Sequence, residues 1–135
     1  MEQISKVITV EEHFMSEKVN GEYQKLLEKK NLTLAQKAKA NFIQQFLAKG
    51  EITEVGEKRL EFMETHGIDC QILSYGNNSP SYLDPKQAVV LCQMANEELA
   101  GYCKQYPGNF YGFAVFTVIS AVECAECEGC GDIEP

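Results

Sequence analysis

Two short runs carry side chains whose types and spacing could do chemistry. The first is Glu11-Glu12-His13, which ends the β-branched run Lys6-Val7-Ile8-Thr9-Val10. If that run is a strand, residues i and i+2 share a side, so Glu11 and His13 project together from its C-terminal end. A carboxylate beside an imidazole suits a borderline divalent ion such as Zn2+. Two residues supply only half of a tetrahedral site, and a surface histidine beside solvated acids is the plainer reading of the pair taken alone. The second run is Cys124-Ala125-Glu126-Cys127-Glu128-Gly129-Cys130, a C-x2-C-x2-C spacing followed by Glu134-Pro135. It follows a ferredoxin ligand run except that Glu134 stands where the fourth cysteine precedes proline. Three thiolates also approach a zinc site without a fourth ligand nearby. An acidic disordered tail with reactive thiols is the plainer reading there.

The elements that must position these residues can be read in order. Lys6 to Glu11 reads as a strand buried on both faces, with Glu11-Glu12-His13-Phe14 at its C-terminal end. Ser16 to Asn31 is polar with Gly21 inside it, and reads as an insertion holding at most a short helix. Thr33 can cap a helix to Lys49 that Gly50 stops, and a second helix runs from about Glu54 to His66 before Gly67. Ile68 to Ser74 follows as strand two, completing the αβ half of a βαβ unit. Tyr75 to Leu83 is a loop rich in Gly, Asn, Ser and Pro, leaving the C-terminal end of that strand. Asp84-Pro85 supplies an N-cap and an N1 proline for the longest helix, to about Gln105, with the buried stripe Ala88, Cys92, Ala95, Leu99 and Cys103. Pro107-Gly108 breaks it, and Phe110 to Phe116 is strand three. His66, placed before the Gly67 turn, reads as a helix C-terminal cap whose charge suits the dipole, not as a ligand.

Composition bounds the rest. At 135 residues with 44% hydrophobic content the chain can bury a core but is well short of the ~250 residues of an eight-stranded barrel. Twenty acids against twelve bases give a net charge of −8, with no basic patch, which argues against nucleic acid as a partner. Apolar runs fall far short of the ~20 residues that span a bilayer, and Met1-Glu2-Gln3 does not open a signal peptide, so no membrane partner and a cytoplasmic location are expected. Cys70, Cys92 and Cys103 sit singly in apolar patterns, as reduced cysteines do. Residues 118–135 hold five acids and no base.

Four blocks resemble the amidohydrolase-2 family, the metal-dependent TIM barrels that include aminocarboxymuconate-semialdehyde decarboxylase and the resorcylate-type decarboxylases. They are Val7 to Phe14, Arg59 to Ser74 (Arg-Leu-Glu-Phe-Met-Glu-Thr-His-Gly-Ile-Asp-Cys-Gln-Ile-Leu-Ser), Ala95 to Ala100 and Phe110 to Ala114, in family order and spacing. The resemblance covers about residues 6–116 and implies the N-terminal third of the barrel: an α/β fragment of a TIM-type (β/α)8 fold, about three parallel strands with helices. It implies that Glu11 and His13 match the family's acid-x-His pair, which holds a divalent metal, usually Zn2+ and sometimes Mn2+. The family's further His and Asp ligands have no counterpart here. Ser74, Tyr75 and Asn77 would follow strand two on the catalytic face and line the substrate pocket, an ordinary solvated loop being the other reading.

The implied activity is decarboxylation, ahead of hydrolysis, of a small carboxylated aromatic or muconate-like substrate, the metal polarising the groups beside the carboxylate so that CO2 leaves. The rivals are a non-enzymatic metal or iron-sulfur module on Cys124, Cys127 and Cys130, and an inactive remnant. The family's third strand continues Phe-Ala-x-Leu-Pro-Leu, whereas this chain reads Phe113-Ala114-Val115-Phe116-Thr117-Val118. Codons for Phe, Thr and Val read one base later can spell Leu-Pro-Leu. Residues 1–117 are therefore expected to be barrel, and 118–135 an acidic cysteine-rich tail, disordered or out of frame. Open parallel edges make a poorly soluble or homo-oligomeric product the expectation.

Overall fold

The computed structural model describes residues 6–47, 50, 52–76 and 83–117, apart from the side chains of Glu11, Lys39 and Phe46. The elements run β1 (Ile8–Phe14), α1 (Glu17–Glu28), α2 (Leu34–Leu47), α3 (Glu57–Thr65), β2 (Cys70–Tyr75), α4 (Pro85–Gln105) and β3 (Phe110–Phe113). The three strands form one parallel sheet in the order β1-β2-β3. The expected α/β class with about three parallel strands is therefore what the chain forms. The cysteine run 124–130 lies outside the described residues, as does the whole segment 118–135.

Local chemistry accounts for the boundaries. Asp84 caps α4, accepting from the Lys86 amide at 3.0 Å, with Pro85 at the first helical position. Thr33 and Gln36 form a reciprocal capping box ahead of α2, Thr33 N–H donating to Gln36 Oε1 at 2.9 Å and Gln36 N–H to Thr33 Oγ1 at 3.3 Å. Gly67 and Gly108, at φ +65° and +86°, make the left-handed turns that lead from α3 to β2 and from α4 to β3.

Several expectations are corrected. The segment 16–31 holds more than the short helix expected at most: α1 has 12 residues, and Val19, Tyr23 and Leu27 recur every four positions to give it a buried face. That face packs on α4 through Leu91 and Ala95. The helix before Gly67 starts at Glu57, not Glu54, and β3 ends at Phe113, not Phe116. On α4, Leu91 joins the buried stripe and Cys103 is only half-buried, because the stripe drifts round the helix over 21 residues.

The sheet has two unlike faces. Leu73 is fully buried on the helical side, with Phe14, Phe110, Met63 and Leu99 around it. Gly112 pairs with Leu73 and lies against Leu99, which leaves no room there for a Cβ. On the other face Ile8 is 52% exposed, Val10 59%, Tyr111 56% and Phe113 59%. The first strand is thus exposed on this face at Ile8 and Val10, contrary to the expectation of burial on both.

Candidate functional site

The C-terminal ends of β1 and β2 bring His13 and Ser74 together. Parallel pairing sets His13 opposite Ser74 and Phe14 opposite Tyr75. His13 Nδ1 and Ser74 Oγ are 2.9 Å apart, on the exposed face of the sheet. With Nδ1 engaged, the imidazole's remaining nitrogen, Nε2, is the one available for a ligand. A hydrogen-bonded second nitrogen is the usual state of a metal-bound histidine.

The register of β1 is interrupted below this pair. Thr9 pairs with Gln71 and Glu12 with Leu73, so Val10 and Glu11 together stand opposite Ile72, one residue too many. This β-bulge is what turns His13 to the open face. With strict alternation from Thr9, which pairs with the buried Gln71, His13 would fall on the helical side with it. Bulges concentrate next to functional sites, where they re-aim a side chain. Glu12, the residue between the expected ligands, lies on the helical side, where its charge acts on the Arg59 guanidinium.

The other expected site residues go elsewhere. Tyr75 is one residue beyond Ser74, and strand alternation sends it to the helical side. There its ring meets Phe14 edge-on, centroids 5.3 Å apart, and helps to enclose an apolar cavity of about 20 Å3 with Val19, Leu91 and Cys92. Burial pushes its hydroxyl pKa well up. The structure therefore does not bring Tyr75 to His13 and Ser74. Asn77 and the Glu11 side chain lie outside the described residues. His66 caps α3 as expected: its Nδ1 lies 2.8 Å from the Phe62 carbonyl and its ring stacks on Phe62. It sits at the opposite end of β2 from Ser74.

Arg59 was not singled out by sequence reasoning. It lines a cleft of about 1140 Å3 along the outer edge of β1, together with Glu12, His13, Ile52, Glu54 and Gln71. Its Nη2 donates to the His13 carbonyl at 3.1 Å and its Nε to the Glu54 carbonyl at 3.1 Å. Its acceptors include main-chain oxygens, which no residue pattern advertises.

The donor set can be tested against a metal on these facts. His13, exposed and held through Nδ1, fits one ligand position. Among the described residues no group of three or more His, Cys, Asp and Glu comes together. A complete centre therefore needs donors beyond those described. The thiols of Cys70, Cys92 and Cys103 do not offer them: they are scattered, and burial raises each pKa, disfavouring the thiolate that binds metal. Among the described residues, no helix is long and apolar enough to cross a membrane.

No protein-family profile matches the chain. Its similarities to known proteins nevertheless run in one direction. Over 66 residues, 47% of this chain and 20% of the relative, it is 35% identical to gamma-resorcylate decarboxylase of Rhizobium radiobacter. Among solved structures it is similar to 5-carboxyvanillate decarboxylase of Novosphingobium aromaticivorans, complexed with manganese and 4-hydroxy-3-methoxy-5-nitrobenzoic acid. That match has a TM-score of 0.71 and 25% identity, covering 86% of this chain and 35% of the other. The 2,6-dihydroxybenzoate decarboxylase from Rhizobium matches with a TM-score of 0.56 at 22% identity, over 82% of this chain and 30% of the other. The chain spans about a fifth of the length of the curated relatives and about a third of the solved structures. It is an α/β unit of parallel strands and helices whose fold matches a fragment of a TIM-barrel decarboxylase.

Proposed function

We propose that this chain carries the first-strand part of a metal-dependent decarboxylase site for small carboxylated aromatic substrates, as the N-terminal portion of an amidohydrolase-2-type barrel. The observation that carries the reading is the His13–Ser74 pair at the C-terminal ends of two parallel strands, the end where barrel enzymes place their chemistry. The family resemblance of the four sequence blocks and the decarboxylase neighbours support it. Manganese, bound in the neighbouring 5-carboxyvanillate decarboxylase structure, is a stronger candidate for the ion than the zinc suggested by donor type alone.

In this reading His13 contributes Nε2, and Glu11 its carboxylate, to a divalent ion. An ion held there would supply Lewis-acid chemistry toward the substrate's carboxylate and its neighbouring oxygen, and the ring carbon that loses CO2 would take up a proton in exchange. In this reading His13 Nδ1–H donates a hydrogen bond to Ser74 Oγ, which leaves the lone pair on Nε2. Tyr75 acts behind the site, packing on Phe14, and Asn77 is kept in this reading as a candidate contact to the substrate.

The test is a Mn2+ titration of the full chain followed by electron paramagnetic resonance, for wild type, His13→Ala, Ser74→Ala and Cys124→Ser. Weak binding that His13→Ala abolishes, Ser74→Ala weakens and Cys124→Ser leaves unchanged is the expected result. Binding that survives His13→Ala but not Cys124→Ser would move the site to the tail and end this reading. CO2 release from 2,6-dihydroxybenzoate, assayed with the same proteins, separates binding from turnover.

A further inference from the structure

We propose that Arg59 is a positioning residue for His13: its guanidinium clasps β1 across the bulge and fixes the direction in which His13 leaves the strand. The inference rests on the reading of His13 as a metal ligand.

The geometry of the clasp is specific. Nη2 holds the carbonyl of His13 itself at 3.1 Å, on the far side of the bulge. Nη1 reaches Gln71 Oε1 at 3.5 Å, and Gln71 is the buried partner of Thr9 on the near side. One planar group therefore ties the carbonyl just past Val10 and Glu11, the two residues that break the register, to the side chain of Gln71 on β2, whose backbone pairs with β1 just before them. Nε is tied to the Glu54 carbonyl, and the Arg59 amide to Glu54 Oε2 at 3.1 Å, so the guanidinium is itself anchored from behind. A second bond from the same segment, Met15 N–H to the Ile52 carbonyl at 2.8 Å, pins β1 two residues further on.

The hydrogen bonds of the Arg59 guanidinium run to carbonyl oxygens, while Glu12 and Glu54 act on its charge from further off. A half-buried cation that faces carbonyls is costly to desolvate, and burial does depress its pKa. Five donors in a rigid fork suit a group that must hold the His13 carbonyl of β1, the Gln71 side chain of β2 and the Glu54 carbonyl at a fixed spacing. An ammonium at the same place lacks that fixed fork and could not hold all three at once. Groups that orient a ligand in this way change metal affinity by 10- to 100-fold when removed.

Co2+ is the probe, since its visible absorption reports ligand geometry directly. The full chain would be titrated as wild type, Arg59→Lys, Arg59→Met, His13→Ala and the neighbouring control Lys58→Ala. Metal-free imidazole NMR would be recorded on the same proteins, with the other of the two histidines, His66, as internal reference. Positioning predicts that Arg59→Lys and Arg59→Met both weaken Co2+ at least tenfold and alter its spectrum. It also predicts that the His13 ring signals shift while those of His66 and the circular dichroism stay as in wild type. A cation that merely repelled the metal would give the opposite sign, tighter binding in Arg59→Met, and that result overturns the proposal. So does wild-type affinity with unmoved His13 signals in Arg59→Lys, the variant that decides if Arg59→Met melts early. If His13→Ala binds Co2+ as wild type does, the ligand reading fails first, and the clasp with it.

Discussion

Replacing Gly112 by alanine tests how β3 is seated against α4. A Cβ built on Gly112 falls 2.7 Å from Leu99 Cγ and Cδ1, and nearer still to Cδ2. These are main-body atoms of a side chain that is 5% exposed and enclosed by Phe14, Leu73 and Phe110, so it has little room to swing aside. Overpacking of this kind costs about 1–3 kcal/mol, and removing a strand glycine returns about 0.5–1 kcal/mol of backbone entropy. The net expectation is a loss of about 1–2 kcal/mol. With a urea m-value of roughly 1–3 kcal/mol/M, the unfolding midpoint falls by about 0.3–2 M. Leu99→Ala alone should cost about 2–5 kcal/mol through its cavity. The two changes together should cost no more than Leu99→Ala by itself, because the new methyl then fills part of the space. Equilibrium urea unfolding of the four proteins gives the coupling, expected at about 1–3 kcal/mol in favour of the double variant. Equal costs of Gly112→Ala in both backgrounds, or a stabilised single variant, would refute the packing argument.

Three further outcomes are expected. Ser16, buried at the start of α1, accepts from the Val19 amide at 3.0 Å, and Ser16→Ala should lower stability by about 1–2 kcal/mol in the same assay. Asn96 on α4 grips the backbone of Val115 twice, donating to its carbonyl at 2.9 Å and accepting from its amide at 2.8 Å. Asn96→Asp keeps the second bond and loses the first, so amide hydrogen exchange at Val115 should stay protected while overall stability falls by about 1 kcal/mol. Burial, with help from a hydrogen bond to Glu98, pushes the Tyr102 hydroxyl pKa up to about 12, and burial raises that of Tyr75 as well. Their unfolded counterparts lose protons near pH 10, so between pH 10 and 12 the native state holds protons that the unfolded state has released. Stability is then full below pH 10 and falls as the pH rises through that window. Tyr102→Phe should flatten the slope.

What could be read from the residues follows the range of the interactions involved. The longest helix was legible end to end because Asp84-Pro85 and Pro107-Gly108 are local signals that need no partner. The His66 cap was legible for the same reason. α1 was read as a short helix at most because its polar surface and Gly21 hid a stripe at four-residue spacing whose value lies in α4, some 70 residues on. The bulge left no trace, since neither Val10 nor Glu11 is a residue that bulges demand. It decides which face His13 takes, so the candidate ligand was found by type while its geometry was not. Tyr75 shows the converse. Two neighbours on one strand cannot share a face, so Ser74 and Tyr75 were never both going to reach the same site. Arg59 was invisible because its grip is on a carbonyl, which every residue has.

The fastening of β1 at Ile52 and Arg59 also bears on how a sheet could grow. The Phe14 carbonyl points to β2, accepting from Gly76 at 2.8 Å, while the His13 carbonyl and the Met15 amide point away and are already taken. A strand arriving on that side would find free ladder positions only before the bulge, and would have to slide toward the N-terminal end of β1 to use them. Such an offset between neighbours is the shear that tilts strands and lets a sheet curl round to meet itself. The segment that steadies His13 would thereby set the direction in which any closure has to proceed.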